Sequence, residues 1–192
     1  MSLIVRLHSA LMERPLIAPI RGDFGDTEVA GTPAAVLIAI TDRVEPGLIL
    51  TVRRENMRTH AGQIAFPGGR LDPDEDPVSA ALREAAEELG LDPVAVHVVG
   101  PIELYRTITG YAVTPVVAVI PPDLPLAPHE REVAEWFEAP LAFLIDPANQ
   151  ARKSVMAEGR ERHYYEIMWG ERRIWGATAA MIVNLSRRLR WT

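Results

Sequence analysis

Three glutamates crowd one short stretch of this 192-residue chain. Glu84 and Glu88 stand four residues apart and Glu84 and Glu87 three apart, with Arg83 beside them. On a helix such positions are surface neighbours, and like charges there cost stability. They also fall near the C-terminal end of the candidate helix, where the macrodipole disfavours anions. Arg83 alone can offset them locally. A hard divalent cation would remove the penalty, because Mg²⁺ takes carboxylate oxygens together with substrate phosphates. Taken without their surroundings, the same glutamates also read as a solvated acidic helix face.

The element that must position them is well marked. Asp76 suits an N-cap and Pro77 the first helical position. Gly90 suits the left-handed residue just past the end. The spacing predicts a helix over 77–89 whose apolar face is Val78, Leu82, Ala85 and Leu89, with Arg83, Glu84, Glu87 and Glu88 opposite. Upstream, Gly68-Gly69 reads as a turn, and Glu75 sits just before the cap.

Taken together, Gly69, Glu75, Arg83-Glu84, Glu87-Glu88 and Gly90, followed by the apolar Leu91, resemble the Nudix box at every fixed position and in every spacing. Seven fixed matches at roughly one in fifteen each have a chance probability on the order of 10⁻⁸. The soft departure is Ala85, where larger aliphatics are commoner; it touches packing and not ligands. The resemblance implies a Nudix α/β/α sandwich with a mixed β-sheet between helices. It implies Glu84 and Glu88 as the main ligands of Mg²⁺ or Mn²⁺, Glu87 as a further or water-bridged ligand, and a backbone carbonyl near Gly68 or Gly69 to complete the set. It also implies that Arg83 and Glu75 pair to hold the loop against the helix, so that Gly69, Glu75, Arg83 and Gly90 are structural members of the motif. The reaction implied is hydrolysis of a nucleoside diphosphate linked to another group, in which metal ions neutralise phosphate charge and acidify the attacking water.

A second pattern precedes the box. Ile49-Leu50-Thr51-Val52-Arg53, then Arg58, Gly62 and Phe66-Pro67-Gly68-Gly69, resembles the signature of coenzyme A diphosphatases. Two positions depart from it: Ile49 replaces a leucine, and Arg54 stands where a small residue is usual. The segments His60–Gly69, Thr109–Pro115, Glu132-Val133 and Ile174–Ala179 look like the same subfamily, so the resemblance covers about residues 33–185. It implies cleavage of coenzyme A or its thioesters to 3′,5′-ADP and a 4′-phosphopantetheine derivative. Arg53, Arg54, Arg58 and His60 form a cationic cluster suited to a pyrophosphate and a 3′-phosphate, since arginine forks match phosphate oxygens. Arg53, Arg58, His60 and Gln63 are the candidate substrate-binding residues. Successive side chains on a strand point to opposite faces, so one of Arg53 and Arg54 is expected in solvent. His60 and Gln63 read equally as loop hydrogen-bonding residues.

In enzymes of this family the general base often comes from a loop after the box. Glu130 and Glu132 are the candidates, and Glu132 is preferred because Val133 follows it as in the subfamily. The alternative is that 130–138 is a solvated acidic segment. Trp136, Phe137 and Trp175 read as packing before substrate stacking. Competing functions are hydrolysis of ADP-ribose, NADH or a modified nucleoside triphosphate, and a non-catalytic nucleotide-sensing domain. Sensing domains usually lose box glutamates, and none is lost here. The isomerase branch of the fold relies on a catalytic cysteine, and the chain has none.

Composition bounds the rest. Apolar residues make up 48% and charged residues 24%, ordinary for a globular protein. The length suggests a single domain, 1–192, burying roughly 70% of its unfolded surface. With no cysteine, disulfide scaffolds, thiolate nucleophiles and cysteine zinc sites are excluded. The longest apolar runs, Ala34–Ile40 and Val116–Ile120, are far short of the ~20 residues of a membrane span. The expected setting is the cytoplasm, and the expected partner is one small nucleotide, with no nucleic acid and no membrane; apolar patches leave room for a homodimer. The net charge of −6 is segregated. Residues 69–91 hold seven acids against two bases, and 151–192 carry +5.

Periodicity places helices at about 2–14 and 177–190, the latter amphipathic through Ala180, Met181, Leu185 and Leu189. Strands are expected at Ala34–Ile40 and Leu48–Val52, joined by a Glu45-Pro46-Gly47 hairpin turn, and at Val94–Val99, Ala112–Ile120 and Tyr164–Met168. Residues 54–76 read mostly as loop and Leu141–Ile145 as one helical turn.

Overall fold

The central strand β1 (Thr32–Thr41) is apolar on both faces because both are covered. It pairs in parallel along its full length with β7 (Tyr111–Ile120). Antiparallel neighbours are β2 (Gly47–Arg53), reached through residues 42–46, and the short β4 (Gly68–Arg70). Outward from these lie β3 (Ile64–Ala65) and β8 (Val133–Pro140) on β2, and β5 (His97–Pro101) and β6 (Tyr105–Arg106) on β7. Among the described residues the result is an eight-stranded mixed sheet. The computed structural model describes residues 1–12, 18–22, 31–55, 62–157 and 159–189.

Alternation along β1 and β7 sorts side chains into two cores. Ala35, Leu37, Ala39, Val116, Ala118 and Ile120 face α2 (Pro77–Leu89) and its Ala80, Ala81, Ala85 and Leu89. Ile38, Ile40, Val117 and Val119 face α1 (Leu3–Met12), α3 (Leu141–Ile145) and α4 (Ala177–Leu189). The architecture is a mixed sheet between helical layers, an α/β/α sandwich. Among the described residues, no helix is long and apolar enough to cross a membrane.

Several local expectations change. Gly68-Gly69 is not a turn but part of β4, paired with Ala35 and Val36. A side chain at Gly68 would sit 2.6 Å from Val36 Cα, so only glycine lets the strands approach there. Residues 93–95 form a 3₁₀ turn capped by Asp92, and the strand expected from Val94 starts at His97. The acidic segment after Glu132 is β8, paired with β2. A strand the polar sequence did not announce, β9 (Ala151–Ala157), pairs with β10 (Arg160–Trp169), which in turn pairs with β11 (Arg172–Trp175) in a separate three-stranded sheet.

Helix α4 is not amphipathic in effect. Every residue from Thr178 to Ser186 is buried, because α1, α3, β10 and β11 cover it from different sides. Its polar side chains are satisfied inside. Asn184 donates to Ile20 O at 2.8 Å and accepts from Ile20 N at 2.9 Å, and Thr178 Oγ1 donates to Ile64 O at 3.1 Å.

Candidate active site

The site grows from the ends of α2. Asp76 accepts from the backbone N–H groups of Val78 at 2.9 Å and Ser79 at 3.2 Å. At the other end Gly90 takes φ 64° and its N–H donates to Ala86 O at 2.9 Å. These caps set the helix length; the alanines set its depth. Ala80, Ala81, Ala85 and Leu89 are fully buried while Val78 and Leu82 are half-buried against the same core, so the inward face keeps Ala85 and Leu89 of the face expected from periodicity and is turned towards Ala80 and Ala81. Small residues on both helix and sheet let the two come close, and the larger ones flank the contact. This rotation carries Glu88 inward. It was expected opposite the apolar face, but it is buried, with 4% of its surface exposed.

Arg83 is the hub on the outer side. Its Nε and Nη2 donate to the two Glu75 carboxylate oxygens, each at 3.0 Å, and Nη2 also reaches Arg70 O at 3.0 Å. Its Nη1 donates to Glu84 at 3.0 Å and to Glu87 at 3.3 Å. Glu75 in turn accepts from the Asp72 N–H at 2.9 Å, so the 70–75 loop is tied to α2. The Arg83 guanidinium and this N–H hold the Glu75 carboxyl below its usual range.

Glu88 points the other way. Its carboxylate accepts from the Gly68 N–H at 3.1 Å and lies 4.0 Å from Arg53 Nη1. Burial pushes its pKa up to about 7, Gly68 and Arg53 pull it back, and repulsion from Glu84 and Glu132 adds to the rise. Burial likewise raises Glu84. Gly69 stands against that carboxylate: a Cβ there would lie 2.5 Å from Glu84 Cδ. Arg53 itself, at the end of β2, has a buried Nε with no hydrogen-bond partner among the described residues.

The structure therefore brings Glu84, Glu88, Gly68, Gly69 and Arg53 to one place, ties Glu75 and Arg83 beside them, and leaves the exposed Glu132 near enough to repel both glutamates. Glu87 lies outward, its side chain 61% exposed. Among the described residues, no three acidic or histidine side chains are gathered as a ready ligand set. Gln63 is half-buried next to the site, and its carbonyl accepts from the Arg53 N–H at 3.0 Å. Arg58 and His60 lie outside the described residues. Phe137 is buried and stacks on Trp169 at 5.6 Å, Trp136 packs half-buried on the α2 side, and Trp175 lies on the outer face of the small sheet beside Tyr164.

The family model of the NUDIX domain matches residues 31–159. The chain belongs to the Nudix family. The uncharacterized Nudix hydrolase NudL of Escherichia coli O7:K1 is 44% identical over 158 residues, 81% of this chain and 82% of that protein. NudL of Shigella boydii serotype 18 matches to the same extent. Among solved structures, the Nudix hydrolase RenU of M. smegmatis has a TM-score of 0.51 at 24% identity, over 65% of this chain and 80% of that one. A C. elegans Ap4A hydrolase has a TM-score of 0.50 at 20% identity, over 57% and 80%. At these identities the shared feature is the fold.

Nudix hydrolases generally use divalent metal ions such as Mg²⁺ or Mn²⁺. The residues of this Nudix hydrolase fit such an ion. Glu88 is a buried acid raised by desolvation and by two neighbouring acids, with one N–H and a distant guanidinium to oppose them. Carboxylate and peptide oxygens are the donors that hard cations take.

Sequence reasoning missed the role of Arg54. It was read as a departure from the signature and as one member of a cationic cluster, yet its guanidinium donates to Glu130 O and its N–H to Glu132 O. An arginine where the resembled signature has a small residue was the available signal.

Proposed function

We propose that this Nudix hydrolase cleaves the pyrophosphate of coenzyme A or an acyl-coenzyme A, releasing 3′,5′-ADP and 4′-phosphopantetheine or its acyl form. The observation that supports the reading is the approach of Arg53 to Glu88. Arg53 ends the Ile49–Arg53 pattern that resembles the coenzyme A diphosphatase signature, and Glu88 belongs to the Nudix box. The two motifs thus meet at one place, with the Arg53 Nε, unpaired among the described residues, close by.

Glu84 and Glu88, with Glu87 and the Gly68 carbonyl, hold Mg²⁺ or Mn²⁺ in this reading. When bound, the ion supplies charge neutralisation at the phosphate oxygens and makes water more acidic. Glu132 takes the proton from the attacking water, and its loop resting on the end of α2, near enough to repel Glu84 and Glu88, supports that role. Arg53, Arg58, His60 and Gln63 bind the substrate, the guanidinium forks meeting phosphate oxygens. Gly69 and the Glu75–Arg83 pair hold the loop against the helix, and Gly90 ends it. The reading includes a cytoplasmic setting and leaves room for a homodimer.

Incubation with coenzyme A and either metal at about pH 7 to 9, where a carboxylate base is ionised, tests this. Release of 3′,5′-ADP is expected; no release with either metal overturns it. The same assay with ADP-ribose and NADH decides the substrate: a much higher kcat/KM on one of these displaces coenzyme A. Binding of ligand without turnover would make the domain a sensor.

A further inference from the structure

The loop that carries Glu132 is held on two sides. On one side it rests on the C-terminal end of α2. The Ala127 N–H donates to Leu89 O and the His129 N–H to Glu88 O, both at 2.8 Å. Those carbonyls lie among the last four of the helix, which have no partner within it. On the other side is Arg54, one residue past β2. Its backbone N–H donates to Glu132 O at 3.3 Å, and its guanidinium donates to Glu130 O.

Between the two anchors, the N–H groups of Glu132 and Val133 both donate to His129 O at 3.0 Å, closing a tight turn. The β2–β8 ladder cannot do this work alone, because its register shifts between Val52 and Arg53, where β8 has only begun. Glu132 therefore hangs from a turn gripped by the metal-site helix at one end and by Arg54 at the other.

We infer that Arg54 is a positioning residue. By tying the Glu130 and Glu132 carbonyls to the end of β2, it fixes the backbone from which the Glu132 carboxylate projects, close enough to Glu84 and Glu88 to repel them. A small residue at position 54 would keep the backbone bond and lose the guanidinium contact. Proton transfer depends steeply on placement, so a loosened turn costs rate while leaving substrate affinity alone. The inference rests on the reading of Glu132 as the base.

Arg54→Ala, Arg54→Lys, Glu132→Gln and the Arg54→Ala/Glu132→Gln double variant test it, on whichever substrate of the panel turns over best. Arg54 is exposed, so folding is retained and the melting temperature holds. Arg54→Ala should lower kcat by roughly 5- to 10-fold at constant KM. Arg54→Lys should recover most of that, since an ammonium also donates to a carbonyl. In the Glu132→Gln background the alanine should remove nothing further. An Arg54→Ala kcat within about twofold of the native value overturns the inference. So does a loss confined to KM, which would mark a substrate contact, or an undiminished loss in the Glu132→Gln background. A shifted acid limb of the pH profile with an intact plateau would mean that Arg54 acts on ionisation, and it also overturns positioning. If Glu132→Gln itself keeps full kcat, the base reading falls and this inference with it; if Glu132→Gln loses kcat and Arg54→Ala does not, only this inference falls.

Discussion

Two glutamates in different regions of the molecule each expose 4% of their surface, Glu166 beneath half-exposed partners and Glu88 deeper in the protein, and their surroundings push them in opposite directions. Glu166, on β10 of the small sheet, is gripped by Lys153 and by Arg173 at 2.5 Å. Those hydrogen bonds hold its carboxyl below its ordinary range. Glu88, on α2, has one peptide N–H and a guanidinium 4.0 Å away, and burial raises it to about 7. A buried charge that is fully paired is structural; one that the described residues leave short of positive charge fits a cation that comes from outside. That contrast marks α2, and not the cation-rich small sheet, as the working region.

The largest effect expected is on turnover. Glu88→Gln keeps shape and removes the under-compensated charge, and should lower kcat by at least ~10²-fold with folding intact. Glu166→Gln should leave kcat within about twofold. Steady-state kinetics on both variants measures the contrast, and equal losses would break it.

Stability in the absence of metal separates the pair by sign. The Glu88 carboxyl is raised in the folded state, so the folded protein binds the extra proton between about 4.5 and about 7. Stability therefore falls as pH rises through that window. At about pH 8, metal-free Glu88→Gln should exceed the native protein by on the order of 3 kcal/mol, from ~1.4 kcal/mol per pH unit. Added Mg²⁺ should close the gap by stabilising the native protein more than the variant. Denaturant melts in chelator and in Mg²⁺ read both; a native protein that gains stability with pH in chelator would reverse the assignment.

Gly69→Ala probes the same region through the backbone. Its Cβ would meet the Glu84 carboxyl group, so one of them must move. A loss of roughly 10-fold in kcat is expected, with apparent Mg²⁺ affinity weakened in the same titration. Native metal dependence in this variant would show that Gly69 does not set where Glu84 stands.

The smallest effect belongs to Glu166. Its lowered carboxyl contributes stability that is present above its unfolded-state pKa and lost as pH falls through the folded value. Glu166→Gln should therefore melt slightly lower than the native protein at neutral pH, and the difference should vanish in strong acid. A thermal melt that shows no difference at neutral pH would make the ion triad on the small sheet energetically silent.

Much of this site was legible residue by residue. Asp76, Pro77 and Gly90 state where α2 starts and stops because caps act on the nearest turn of backbone. The spacing of Glu84, Glu87 and Glu88 puts them on adjacent rows of the helix by geometry alone. The hairpin into β2 was legible from Glu45-Pro46-Gly47 for the same local reason. The burial of Glu88 was not, since it depends on Ala35, Ala39 and Ala118 of the sheet admitting Ala81 and Ala85 closely. The strand character of Gly68-Gly69, the pairing of the acidic β8 and the full burial of α4 were hidden likewise, because each needs a neighbour distant in sequence.

The amino-acid sequence by itself determined the Nudix box, the upstream pattern and the helix that bears the glutamates, all products of contacts within a few residues. Only the tertiary structure decided which glutamate is buried, which arginine faces it and what holds the Glu132 loop. Those outcomes follow from how closely a helix and a sheet can pack and which distant backbone groups then meet. That distance fixes the dielectric around each charge, and with it the chemistry the charge can do.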